Sequence, residues 1–152
     1  MLVFDQNDDI AEVSGFEIDA FERNQGISIP TDYRSFLQVV KGGTPSNNWV
    51  PLQGDGDYIS LFFGLRAEVS WKALDYGIEH LGAPGETGYL PIAVSSGGNY
   101  FLLKVQDPDL GAVFFWDHEA EDSQPPTFTR LTRVASTFDR FTAKLQSPPN
   151  TG

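Results

Sequence analysis

Residues 88–119, GYLPIAVSSGGNYFLLKVQDPDLGAVFFWDHE, contain the pattern that decides the fold. Aromatic and β-branched residues fill three runs, over residues 89–94, 99–106 and 112–118. A Ser-Ser-Gly-Gly turn and an Asp-Pro-Asp-Leu-Gly turn separate the runs, and their residues accept positive φ or preset a bend. Strands joined by such short turns are antiparallel. The stretch therefore predicts a three-stranded meander.

Apolar residues recur at helical spacing on both sides of this meander. The clearest pattern predicts a helix over residues 31–41, with Thr31 or Asp32 as its N-cap and the Gly42-Gly43 pair at its end. Weaker patterns predict helices over residues 15–24, 71–81 and 134–145. Thr132 is the expected N-cap of the last helix.

Further strands are expected over residues 58–65 and 128–131, with a weak edge strand over residues 49–52. The order of elements predicts an α+β fold, in which about four helices pack on a mainly antiparallel sheet of five to six strands. We expect a single domain over residues 14–146, a flexible lead-in over residues 1–13 and a disordered tail over residues 147–152.

Composition excludes several classes of protein. The chain has no cysteine, so it forms no disulfide framework and no thiolate metal site. Its first residues lack the basic region and apolar run of a signal peptide, which makes a cytoplasmic location the expectation. The net charge of −11 repels nucleic acid and anionic membranes and favours basic partners.

The acidic residues are clustered along the sequence. Residues 1–32 contain eight acids and one Arg. Residues 105–123 contain no Lys or Arg and six acids, namely Asp107, Asp109, Asp117, Glu119, Glu121 and Asp122. A clustered negative charge indicates a surface for a basic partner, whereas an even spread would indicate solubility alone.

No segment has the pattern of a catalytic or metal site. Asp117 and Glu119 share one face of an extended strand and His118 the other, which favours a polar strand end over a metal or acid–base site. Asp55 and Asp57 stand on a Gly-rich loop, but the third ligand and closing Glu of a calcium loop are missing. We therefore expect no catalytic residue, no metal and no cofactor.

The central strands are apolar on both faces, which allows two arrangements. Helices can cover both faces of the sheet, or one face can carry an aromatic surface for a partner. The sequence leaves this choice open.

Several segments together resemble the SUKH superfamily, the Smi/Knr-type domain. They are Ile-Pro-Thr-Asp-Tyr-Arg-Ser-Phe-Leu at residues 29–37 with Gly42, Gly43 and Pro45, the strand segments 88–93, 97–103 and 111–119, and the closing helix at residues 134–145. The resemblance covers residues 14–146. It implies structural roles for Pro30, Gly42, Gly43, Gly97, Gly98, Trp116 and Asp117.

The resemblance also implies a function. Bacterial domains of this superfamily typically serve as non-catalytic immunity proteins, which bind and neutralise a toxin delivered by a neighbouring cell. The expected partner is the C-terminal domain of a larger secreted toxin, not a nucleic acid or a membrane. An intracellular protein-binding adaptor without a toxin partner is the alternative, and a metal-dependent enzyme is a more distant one.

Charge and resemblance together predict an interface. A nuclease-type toxin is basic where it binds phosphate, so acidic side chains would block it. The expected interface comprises Asp55, Asp57, Asp107, Asp109, Glu119, Glu121 and Asp122. Trp116 or Tyr58 is the expected aromatic anchor if the second face of the sheet is open.

Overall fold

A computed structural model describes residues 4, 9–120 and 126–147 of the protein. The described residues form one antiparallel sheet of six strands that follow one another in sequence order. The strands are β1 Trp49–Leu52, β2 Asp55–Phe62, β3 Tyr89–Ser95, β4 Tyr100–Lys104, β5 Val113–Trp116 and β6 Leu131–Ala135. The helices are α1 Gly15–Gln25, α2 Thr31–Val39, α3 Leu74–Leu81, α4 Pro84–Thr87 and α5 Phe138–Ala143. The predicted α+β class and the central meander are confirmed.

The register of the meander follows from its turns. Ser95 closes the β3–β4 turn, because its backbone carbonyl accepts from Gly98 N and its Oγ accepts from Asn99 N. Gly98 has a φ of +87°, a value that glycine adopts without strain. On the next pair of strands, Tyr100 lies opposite Trp116 and Leu103 opposite Val113. This register places aromatic residues of neighbouring strands side by side.

Phenylalanine rings fill the space between α2, α5 and the first face of the sheet. The ring of Phe138 lies 5.0 Å from that of Phe36 on α2, and the ring of Phe141 lies 5.3 Å from that of Phe101 on β4. Phe62 on β2 contacts the same rings from the sheet. Edge-to-face and tilted contacts of this kind stabilise a core beyond the area that they bury.

Helix α3 and the segment before β6 cover the second face. A Cβ on Gly77 would lie 3.0 Å from the Pro91 Cβ, so glycine lets α3 approach β3 closely. Trp116 is only 4% exposed, with its ring 6.2 Å from that of Tyr100 and 5.7 Å from that of Phe128. Both faces of the sheet are therefore covered, and the arrangement with an open aromatic face does not occur.

Two predicted N-cap residues are wrong. Helix α2 has Pro30 as its N-cap residue and no side-chain cap, so neither Thr31 nor Asp32 caps it. The Asp32 Oδ2 instead accepts a hydrogen bond of 3.0 Å from the backbone N of Asp139, at the start of α5. Helix α5 starts after Thr137, whose side chain caps it, because the residues around Thr132 form β6.

The described part of the N-terminal segment is packed against the domain. The Phe4 ring lies 5.6 Å from the Phe36 ring and Ile10 is 1% exposed. Phe4 forms a bridge with Pro45, and Ile10 forms one with Ala67. Isolated apolar residues of the segment expected as a lead-in thus contact the core. Of the expected tail, only Ser147 is described, and its Oγ donates to Asn47 Oδ1.

Gly42 occupies a position that only glycine fits. Its φ is +144°, and a Cβ there would lie 2.8 Å from the carbonyl oxygen of Phe62. The next residue, Gly43, exchanges two backbone hydrogen bonds of 2.9 Å with Phe62. Gly42 thus allows the chain leaving α2 to lie directly against β2.

We expect Gly42→Ala to destabilise the protein at least twice as much as Gly54→Ala. Gly54 in the β1–β2 turn also has positive φ, +85°, but a Cβ there would meet nothing within 4 Å. Gly54→Ala should cost about 1 kcal/mol from backbone strain alone, whereas Gly42→Ala adds a clash with backbone. Urea unfolding of both variants measures the difference, and equal losses would contradict the tight contact at Gly42.

Candidate partner-binding surface

The sheet separates the acidic residues predicted for the interface into two groups. Asp55, Asp57 and Glu119 lie at the end of the sheet that carries the β1–β2 and β3–β4 turns, which we call the hairpin end. Asp107 and Asp109 lie in the β4–β5 turn at the opposite end. The five residues of β4 separate the two ends by roughly 15 Å. A single continuous surface does not include both groups.

Asn99 connects the acidic residues at the hairpin end. Its Nδ2 donates to Asp57 Oδ2 over 3.3 Å, and its Oδ1 accepts from the His118 backbone N over 3.0 Å. The Nδ1 of His118 lies 2.6 Å from the same amide oxygen. The Asn99 side chain therefore fixes the start of β2 relative to the segment that follows β5, and it places Asp57 near Glu119.

Asp117 shapes the segment after β5. Its Oδ1 accepts a hydrogen bond of 2.9 Å from Glu119 N, and its carbonyl oxygen accepts one of 3.1 Å from Ala120 N. These bonds form a 3-10 turn over His118–Ala120 in place of the expected continuation of the strand. Asp117 thus stabilises this turn, while His118 and Glu119 are exposed.

Tyr58 is the accessible member of the two predicted aromatic anchors. Its ring is partly exposed and contacts the Trp49 ring edge-to-face at 4.7 Å. Gly56 lies under the Trp49 ring, because a Cβ there would approach Trp49 Cζ2 to 2.3 Å. Trp116 is buried in the second face, so the condition on which it was predicted as an anchor is not met.

The other predicted interface residues lie elsewhere or are not described. Asp109 at the opposite end lies 3.4 Å from Arg133 Nη1 of β6, with both side chains about half exposed. Asp107 is exposed in the same turn. Glu121 and Asp122 fall outside the described residues. Gly97 and Gly98 lie in the β3–β4 turn.

The structure also contains a groove that sequence reasoning missed, between α1, residues 65–70 and α3. A main chamber of about 600 Å³ and a smaller one of about 250 Å³ share Leu65, Arg66 and Asp75. We call this cavity the α1–α3 groove. Its other lining residues are Ala11, Glu17, Ala20, Phe21, Asn24, Ala67, Glu68, Ser70, Ala73, Tyr76 and Glu79. Trp71, which follows Ser70, is exposed, although the sequence pattern included it in a helix predicted over residues 71–81.

Two ion pairs connect the N-terminal part of the chain to the wall of this groove. The Arg66 Nε lies 2.5 Å from Glu17 Oε2, and the Lys72 Nζ lies 2.8 Å from Asp9 Oδ2. The hydrogen bond from Arg66 lowers the pKa of Glu17, and Glu17 in turn raises the pKa of Arg66. The hydrogen bond from Lys72 likewise lowers the pKa of Asp9.

These lowered pKa values predict a loss of stability in acid. A carboxyl group whose pKa is lower in the folded state stabilises that state above its unfolded pKa, about 4 to 4.5 for these residues. The contribution disappears as the pH falls through the folded pKa. The double variant Asp9→Asn, Glu17→Gln should therefore lose less stability than the parent between about pH 5 and pH 3.

Urea unfolding at several pH values measures this difference. The matched control is Glu86→Gln, since Glu86 is exposed and forms no ion pair within the described residues. Parallel pH curves for the parent and the double variant would show that the two ion pairs do not contribute to folding.

No group of three or more metal-ligating side chains occurs in residues 4, 9–120 and 126–147. Within the same residues, no helix is both long enough and apolar enough to cross a membrane. In the Asp117-His118-Glu119 tripeptide, the Asp117 side chain accepts a hydrogen bond within its own turn and the His118 backbone N donates to Asn99. Both hydrogen bonds stabilise the local fold.

Comparison with known proteins agrees with this architecture. The model of the SMI1/KNR4 family (SUKH-1) matches residues 12–144. The chain belongs to this family. The match spans α1 through α5, and the resemblance noted in the sequence is thereby confirmed.

A curated relative comes from Bacillus subtilis (strain 168). The SPbeta prophage-derived uncharacterized protein YokK is 27% identical, in an alignment that covers 88% of this chain and 74% of that protein. Its description assigns no activity, so the similarity supports the family and adds no function.

Proposed function

We propose that this SUKH-1 protein is a non-catalytic immunity protein that binds and neutralises a cognate bacterial toxin. Family membership supports the proposal, because the SUKH superfamily includes immunity proteins. The toxin is proposed to be the C-terminal domain of a larger secreted protein. In this proposal the immunity protein acts in the cytoplasm of the cell that makes it.

The observation that carries the proposal beyond the family is the acidic hairpin end. Asp55 and Glu119 are exposed, and the Asn99 hydrogen bonds hold Asp57 near them. A nuclease-type toxin has a basic surface where it binds phosphate, and carboxylates at this end would compete for that surface. Tyr58 provides an accessible aromatic contact beside the acids. Glu121 and Asp122 are proposed members of the same interface.

Affinity capture from the native host tests the proposed function. The full chain serves as bait, and mass spectrometry identifies the retained proteins. Recovery of a secreted toxin's C-terminal domain, followed by protection of cells that express this domain, supports immunity. Capture of housekeeping proteins alone would favour the adaptor alternative. If the captured toxin still kills cells that also express this protein, neutralisation would be contradicted.

Charge reversal tests the acidic hairpin end. The variant Asp55→Lys, Glu119→Lys should slow association with the captured toxin about tenfold or more at low salt, because opposite charges accelerate encounter. The matched control, Asp107→Lys with Glu86→Lys, brings the net charge from −11 to the same −7 away from this end. Surface plasmon resonance at two salt concentrations measures the association rate of each variant. Equal slowing by the two variants would indicate general charge attraction and remove the hairpin end as the interface.

A further inference from the structure

The α1–α3 groove combines an apolar floor with a negatively charged rim. Leu65 and Ala73 on the floor are buried, and Tyr76 is partly buried beside them. The carboxylates of Glu68 and Glu79 stand at exposed positions on the rim, together with that of Asp75. A surface of this kind matches a side chain with an aliphatic stem and a cationic head, which is the chemistry of arginine and lysine.

The cation already in the groove does not neutralise this rim. Arg66 is engaged by Glu17 at 2.5 Å and donates to the Glu12 carbonyl oxygen at 3.2 Å. Across the described ranges, no Lys or Arg forms an ion pair with Glu68, Asp75 or Glu79. Three carboxylates therefore line the cavity without a basic partner from the described part of the chain.

The position of Glu79 is unfavourable for the helix that carries it. Glu79 lies in the last turn of α3, where the helix dipole favours cations over anions. Asp75 lies four residues earlier on the same face, so the two like charges repel each other. A bound cation would relieve both effects. Local conflicts of this type are expected where a protein meets a ligand.

Aromatic residues at the margin provide area for a protein partner. Trp71, next to Ser70 of the groove, is 50% exposed, and Phe16, next to Glu17, is 76% exposed. Exposed tryptophan beside a concave site is typical of protein interfaces. A free amino acid or a metal ion would leave these rings uncovered, so the margin favours an extended polypeptide as the occupant.

We propose that the α1–α3 groove binds an exposed arginine- or lysine-bearing segment of the protein partner. The cationic head lies among Glu68, Asp75 and Glu79, and its stem packs on Leu65, Ala73 and Tyr76. The inference rests on the proposed function only in taking that partner to be the toxin.

The groove lies beside the strand that starts at the hairpin end. Tyr76 of the groove and Tyr100 of β4 both pack against Phe63, whose ring centroid lies 6.4 Å from each of theirs. Tyr100 follows Asn99, the residue that orders the hairpin end. The groove therefore adjoins the second face of the sheet at β4.

A peptide titration tests the groove without any toxin. The probe is a blocked Gly-Arg-Gly-Arg-Gly peptide, and the control probe carries citrulline, the neutral isostere, at both arginine positions. We expect the arginine peptide to shift the backbone amide signals of Ala67, Glu68 and Tyr76 in ¹⁵N-labelled full-length protein. The shifts should saturate with a Kd of about 1 mM or tighter at low salt.

Matched variants identify the site. Glu68→Gln with Glu79→Gln should weaken peptide binding about 3- to 10-fold, as expected for two exposed charge pairs. The removal of Glu79 also favours α3, so folding is not at risk. The control Asp55→Asn with Glu119→Gln changes the net charge equally at the hairpin end and should leave the Kd within about twofold.

Three results would overturn the inference. They are equal binding of the citrulline peptide, equal weakening by both double variants, and shifts that do not saturate. The proposed function fails separately, if affinity capture yields no toxin. A groove that binds the arginine peptide would still stand in that case, because the titration uses no toxin.

Discussion

Burial of the central strands on both faces is the constraint that governs this domain. In β4 every side chain except Lys104 is buried, and β3 is almost as enclosed. Rings from α2 and α5 contact one face, while α3 and Phe128 cover the other. The central strands therefore offer little side-chain surface to a partner. The turns at the sheet ends and the surfaces between the helices offer more.

The central part of the fold could be predicted from sequence because its signals are local. Tight turns determine the pairing of β3, β4 and β5, and the apolar stripe of α2 repeats at helical spacing. The boundary between β6 and α5 could not be predicted, because Val134 fits the apolar periodicity of a helix and also that of a strand. Hydrogen bonding to β5 stabilises the strand, and this contact is not visible within the segment's own sequence. Phe4 and Ile10 gave no periodic signal, although tertiary contacts bury Ile10.

For the candidate surfaces too, proximity in sequence and proximity in space differ. Asp109 and Glu119 are ten residues apart in sequence, but the length of β5 lies between them and places them at opposite ends. The rim acids of the groove, Glu68, Asp75 and Glu79, are close in sequence, but only the fold brings them beside Glu17 and the other α1 residues that complete the cavity. Charge clustering in sequence predicts a shared surface only where the intervening chain forms a turn.

The contact between α2 and α5 has a consequence for synthesis of the protein. Strands that pair in sequence order can associate as they leave the ribosome, since each partner is the next strand to emerge. The first face remains uncovered during this time, because Phe138 and Phe141 are translated after all six strands. The hydrogen bond between Asp32 of α2 and the backbone N of Asp139 in α5 also forms only after α5 has been synthesised. A nascent chain that stalls before α5 therefore exposes Phe36, Phe62 and Phe101 together, the kind of apolar surface that chaperones bind.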